Sequence, residues 1–248
     1  MNLSEALYKG MESARKTIQT AINEAAKNAG FSNVEELLLG IVAFQNWTKS
    51  IHVLVNNHYA FTDEITDELI DKLLKNEDVD NTVKEYYIEN NNERLNRLII
   101  RCKSKIQPYC NSELLDEIIT AFENGSYHLS CVGLFAVIDG LLSQTTLNNT
   151  TNYKNRLKTI HDKISRETPL SELDKTTICL YYAFENIENT AFQDSRFHED
   201  EPLSINRHWT LHGRSRRNYE IIDCIMLFQW IEAIIIMDNF GKNDEAEI

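Results

Sequence analysis

Apolar residues recur at three- and four-residue intervals along most of the chain, the period at which side chains line one face of an α-helix. Leu7, Ala14, Ile18, Ala21, Ile22 and Ala25 mark a first helix, which Gly30 ends. Ser32-Asn33 reads as a cap for a second, carried by Leu38, Ile41, Val42, Trp47 and Val55. Thr62-Asp63-Glu64 opens a third through Ile65, Leu69, Ile70, Leu73 and Leu74. The polar, acidic run from Asn76 to Asn81 reads as a loop, and helical spacing resumes from Asn81 to Lys105 with Val83, Tyr87, Leu95, Leu98 and Ile99.

Pro108-Tyr109-Cys110-Asn111-Ser112 is the best candidate boundary, dividing a helical N-terminal region, 1–110, from a second helical domain, 111–248. Asn111 or Ser112 caps a helix through Leu114, Leu115, Ile118, Ile119 and Phe122, and Gly125 punctuates it. Tyr127 to Leu142 forms a strongly apolar helix with Asp139 isolated inside it. The polar run Ser143 to Tyr153 predicts a loop, Leu157 to Ile164 a short helix broken by Pro169, and Leu173 to Phe192 another helix. After a charged loop from Gln193 to Ser204, one last helix is expected from about Asn206 into Ile236.

Composition agrees with this reading. Only 8 Gly and 3 Pro punctuate 248 residues, too few for the many turns of an all-β fold. The expectation is an all-α helical bundle. Ile221 to Met237 is the longest apolar stretch, but Asp223, Gln229 and Glu232 interrupt it, so it reads as a buried helix and no membrane is implied. Five cysteines form no CxxC pair and no evident framework, which suggests reduced thiols and a cytoplasmic protein. The first ten residues have no apolar core and do not read as a signal peptide.

The net charge of −13 argues against binding nucleic acid by bulk electrostatics, so any such contact must be local. One local site exists. From Asn206 to Tyr219 there are four arginines (Arg207, Arg214, Arg216, Arg217) and no acid. Within it, Arg207 is followed after four residues by His212. That spacing alone is weak, because the chain's arginines and histidines should produce it roughly once by chance, and Arg156 with His161 is a second instance.

The chemistry nonetheless suits phosphodiester cleavage. Imidazole titrates near neutral pH and can take or give a proton. Guanidinium stays charged and offers a fork to phosphate oxygens. On a helix His208 and His212 share a face, while Arg207 points further round.

The string Asn206-Arg207-His208-Trp209-Thr210-Leu211-His212-Gly213 resembles the motif of the HEPN-domain family, in which an arginine precedes a histidine by four to six residues. In that family the residue after the arginine is usually polar, as His208 is and Leu157 is not. Upstream, Phe122 to Tyr127 and Ile138 to Leu142 are similar to the paired helices that precede the motif, so the resemblance covers about Asn111 to Asp238. It implies a cofactor-free, metal-independent RNA endonuclease of the toxin or antiviral-effector kind, leaving a 2′,3′-cyclic phosphate. It also implies a homodimer formed through this domain, which brings two motifs into one cleft. The expected roles are His212 as acid or base, Arg207 as transition-state clamp and His208 in support. Asn206 and Asp139 support the motif, with Asp139 orienting Arg207, while Arg214, Arg216 and Arg217 contact RNA. Residues 1–110 would serve as a sensing, dimerising or restraining region that answers to a regulatory protein or ligand.

Other readings use the same residues. His208 and His212 could be zinc ligands at i, i+4, although Trp209 stands where an HExxH site has its glutamate and no third ligand is evident. A non-catalytic module that binds RNA or protein would keep the fold, and the acidity would also suit an antitoxin or immunity-type partner.

Overall fold

The computed structural model describes residues 16–17, 20–30, 32, 34–60, 62–145, 187, 191–192, 198 and 200–243, and among these there is no strand. The fold is all-α. The helices expected at Leu157–Ile164 and Leu173–Phe192 lie outside the described residues, apart from Ile187, Ala191 and Phe192, as do Arg156 and His161.

Two compact units are present, Met1–Lys49 and Ser50–Ile248. Residues 20–28 of the first are helical and end at Gly30, whose φ of +85° is the left-handed conformation glycine adopts most easily. Helix α1 (Val34–Asn56) runs across the division.

The second unit contains α2 (Asp67–Lys75), α3 (Val79–Ile106), α4 (Ser112–Glu123), α5 (Tyr127–Thr145), α6 (Arg207–Leu211) and α7 (Ile221–Asn243). The boundary expected between Cys110 and Asn111 falls inside this unit, because α3 packs along α7 and also meets α4. Cys102 of α3 donates its thiol hydrogen to the Phe228 carbonyl of α7 at 3.4 Å, and Trp230 Nε1 donates to the His58 carbonyl at 2.7 Å. The Pro108 segment is a turn between packed helices.

Helix α7 forms the spine. Every residue from Asp223 to Ile236 is buried, as expected of a helix apolar on all sides with neighbours on several faces. Each fully buried large aliphatic or aromatic side chain adds about 1.5–3 kcal/mol of transfer free energy. The three polar residues that interrupt it all have partners. Asp223 pairs with Arg217, Gln229 Oε1 accepts from Ala60 N–H at 3.2 Å, and Glu232 pairs with Arg101.

Local chemistry explains where several elements begin. Asn111 caps α4 by accepting from Glu113 N–H at 2.9 Å, and Gly125 (φ +72°) turns the chain into α5. Helix α2 starts later than Thr62 suggests. The Thr62 hydroxyl is engaged with Tyr87 Oη (2.9 Å) and Glu64 is drawn to Arg97 and Arg101, so helix geometry begins only at Asp67. Helix α3 begins within the expected loop, capped by Asp78, which accepts from Asn81 N–H at 3.0 Å.

It is also interrupted. Asn90, Asn91 and Asn92 have φ of +53°, +58° and +62°, a region asparagine tolerates better than most residues. Arg94 spans the interruption by donating to the Tyr86 carbonyl and to Glu89. The apolar period is regular on both sides, so the pattern alone reads straight through.

Among the described residues one helix, Tyr127–Thr145, is long and apolar enough to cross a membrane. Its buried positions include Cys131, Leu134, Phe135, Ile138, Leu141 and Leu142, and the helix packs against α4 and α7.

Candidate functional site

The motif occupies a single short helix. Instead of one helix from Asn206 to Ile236, the chain forms α6 over Arg207–Leu211, leaves helical geometry at His212, turns at Gly213 (φ +64°) and re-enters a helix at Ile221. Gly213 N–H bonds the Thr210 carbonyl, while Arg214 and Ser215 N–H both bond the Trp209 carbonyl, closing the end of α6. Arg214, Arg216 and Arg217 therefore sit on the connecting loop.

Asn206 is the N-cap and is 3% exposed. Its Oδ1 accepts from the N–H groups of His208 (3.0 Å) and Trp209 (3.2 Å). Arg207 N–H donates to the Ala191 carbonyl at 2.8 Å, fixing where the helix enters.

The structure brings Arg207 and Asp139 together. Arg207 Nε donates to Asp139 Oδ1 at 2.7 Å and Nη2 donates to Oδ2 at 2.6 Å, a side-on bidentate pair across 68 positions of chain. Both side chains are 18% exposed. A lone acid on an otherwise apolar helix thus has its cation. Phe192 flanks the pair, its ring 6.0 Å from the guanidinium carbon and edge-on to Phe135.

His208, on α6, and His212, its C-cap, lie side by side. Their rings lie 4.6 Å apart at 66°, close to edge-to-face. His212 is exposed and His208 half-buried, so a proton can reach the pair from solvent. Among the described residues no cluster of three or more His, Cys, Asp or Glu side chains could hold a metal ion, so the zinc reading gains no third ligand there.

The three downstream arginines differ from one another. Arg217 donates to the Leu203 carbonyl (2.6 Å) and to Asp223 (2.7 Å), which ties the loop to the start of α7. Burial pushes the Asp223 carboxyl above the usual range, against the opposing pull of Glu220 N–H and Arg217. Arg216 presents an exposed side chain, and its N–H donates to Glu201 at 2.8 Å. Arg214 is exposed, its guanidinium 5.7 Å from the Trp209 ring centre. Arg214 and Arg216 are exposed, whereas Arg217 is half-buried and ties the loop to α7.

Several participants were not evident from the sequence. Glu201 accepts from the Ser215 hydroxyl as well as from Arg216, so an acid from the preceding loop braces the stretch that looked acid-free. Tyr219, buried, shares a 2.6 Å hydrogen bond with Thr210. Because the Thr210 hydroxyl donates its one hydrogen to the Asn206 carbonyl (2.7 Å), Tyr219 is the donor to Thr210. Burial raises the Tyr219 phenol above its ordinary value, opposed by Ser215 and Thr210. His128, in the first turn of α5, packs edge-on against the Tyr219 ring at 4.5 Å.

Taken as chemistry, the site has a fixed guanidinium, a paired acid that orients it, two neighbouring imidazoles and a loop bearing two exposed cations. A scan against protein-family models finds no match, and searches of curated proteins and of solved structures likewise find none.

Proposed function

We propose that the chain is a metal-independent RNA endonuclease of HEPN type, acting at Arg207, His208 and His212. The observation that carries this reading is the imidazole pair, 4.6 Å apart at the end of a helix whose first residue is an arginine held by Asp139. His212, the more exposed imidazole, takes the 2′-hydroxyl proton or returns one to the departing 5′-oxygen, and His208 supports it. Arg207 sets its positive charge against the charge that builds on the phosphoryl oxygens, since Asp139 orients the guanidinium without removing its charge. Arg214 and Arg216 attract the strand locally on an otherwise acidic chain.

Arg207 is directed at Asp139 of α5 while the imidazoles lie side by side at the end of α6, so a homodimer supplying a facing motif would complete one cleft. In such an assembly the protein acts as a toxin or defence effector.

The test is cleavage of RNA by purified protein in EDTA, with end-group analysis of the products. Wild type is expected to leave 2′,3′-cyclic phosphate ends, and His212→Ala to cut 10²–10⁴-fold more slowly. No cyclic-phosphate ends, or equal cutting by the His212 variant, would overturn the reading. A second reading is favoured by the closed pairing of Arg217 with Asp223, because a loop braced in this way could serve a non-catalytic binding module. RNA binding without cleavage would select it.

A further inference from the structure

A cleft of about 770 Å³ opens where α5 and α7 begin, lined by Lys84, His128, Asn218, Tyr219 and Glu220 among others. Concave sites of roughly 300–1,000 Å³ are those that hold small ligands. It does not include the histidine pair, yet it is joined to it. Tyr219 forms part of its wall and donates to Thr210, two positions before His212.

The lining is chemically mixed. Lys84, half-buried on α3, brings an ammonium, and His128 an exposed imidazole. Asn218 presents a carboxamide that both donates and accepts, and Glu220 a carboxylate that only accepts. Bare phosphate would suit Lys84 but meet repulsion from Glu220, and a simple cation would meet the reverse. A ligand with an anionic group, neighbouring hydroxyls and a hydrogen-bonding ring edge matches all of them.

We propose that this cleft binds a ribonucleotide of the substrate strand. Lys84 and His128 hold the phosphate, Glu220 accepts from the ribose hydroxyls and Asn218 meets the base edge. The nuclease reading is needed only for assigning that nucleotide to a substrate strand; nucleotide binding in the cleft stands independently of it.

Titration of the full chain with adenosine 5′-monophosphate, followed calorimetrically, tests the binding. Lys84→Ala and Glu220→Gln are each expected to weaken it about tenfold. The 2′-deoxy analogue and inorganic phosphate should both bind more weakly than the ribonucleotide, and His212→Ala should bind it as wild type does. Glu220 is exposed and Lys84 half-buried, and thermal melts of the variants check that they fold. Absence of binding, or undiminished binding by both variants, would overturn the cleft.

In cleavage assays Lys84→Ala should raise KM about tenfold with kcat retained. If nucleotide binds but KM does not move, the substrate-strand assignment is lost and the site belongs to a free nucleotide. If nucleotide binds in the cleft while wild type cuts no RNA, the nuclease reading fails and the nucleotide site stands.

Discussion

Two arginine–carboxylate constellations join distant parts of the second unit, and they differ in everything except their chemistry. Arg101 of α3 lies between Glu64 and Glu232, with Arg97 adding a second cation on Glu64. Glu232 is 1% exposed and Glu64 5%, so the carboxylates of this cluster are buried where α3 meets α7. Arg207 pairs with Asp139, both 18% exposed, with His208 on its helix and His212 at the helix end. In the first cluster the carboxylates are enclosed, while the Arg101 and Arg97 side chains are 21% and 44% exposed. In the second the carboxylate itself is part-exposed, and two imidazoles lie side by side at the helix end.

The largest expected difference between them is in stability. Replacing Arg101 with Met leaves two buried carboxylates with one fewer cation and should cost about 3–5 kcal/mol, the usual result of removing one partner from a buried ion pair. Arg207→Ala, which breaks a part-exposed pair, should cost only about 1 kcal/mol. Urea denaturation of both variants measures this. Equal losses would mean that Arg207 is a structural clasp like Arg101, and the contrast would collapse.

Next in size is an effect on activity alone. Asp139→Asn keeps the shape of the side chain but loses the charge that orients Arg207. Misplacing a catalytic group by about an ångström can cost on the order of 10²-fold in rate. Cleavage by this variant should fall by that order while its denaturation midpoint stays close to wild type. A rate within a factor of about two of wild type would show that Asp139 does not position the guanidinium.

The two clusters were not equally legible in the sequence. Asp139 could be paired with Arg207 because a lone acid on an apolar helix needs a cation and the motif had already singled out that arginine. Glu232 posed the same problem in α7, but its partner lies 131 positions away with no motif to mark it. Helices α4 and α5 were readable because Asn111 and Gly125 act locally. The break before α7 was not, since a single glycine separated two segments that both tolerate helix. The capture of Arg217 by Asp223 was not legible either, because that acid lies on α7, beyond the acid-free stretch that ends at Tyr219.

Acidity offers a finer separation. Burial pushes the Glu232 carboxyl above the ordinary range despite Arg101. Burial also acts on Glu64, but hydrogen bonds from Arg97 and Arg101 outweigh it and hold that carboxyl below the ordinary range. A raised folded-state value means the native state binds more protons, so that contribution is present below the unfolded value, about 4, and is lost as pH rises through the folded one. Glu64 behaves oppositely, contributing above its unfolded value and losing that contribution as pH falls through its lowered one. Stability should therefore rise modestly as pH drops from neutral, with Asp223 adding to the rise, and then fall at pH below about 4. Glu232→Gln should flatten the upper limb and Glu64→Gln the acid limb, read from urea midpoints across the range. A Glu232 variant that keeps the full upper limb would assign it to Asp223.

The smallest effect tests whether the open site depends on how its helix ends. Gly213 adopts φ +64°, and a methyl group added there would meet no atom within 4 Å, so an alanine pays only for the left-handed backbone, about 1 kcal/mol. Gly213→Ala should lower stability by that amount and leave the buried Arg101 cluster untouched. Because Gly213 N–H bonds Thr210 and the following residues fold back on Trp209, the substitution also strains the turn directly after His212. Gly213→Asn, which tolerates the same conformation, should recover both stability and cleavage. Recovery of stability without cleavage would mean that residue 213 acts at the site through more than its backbone angle.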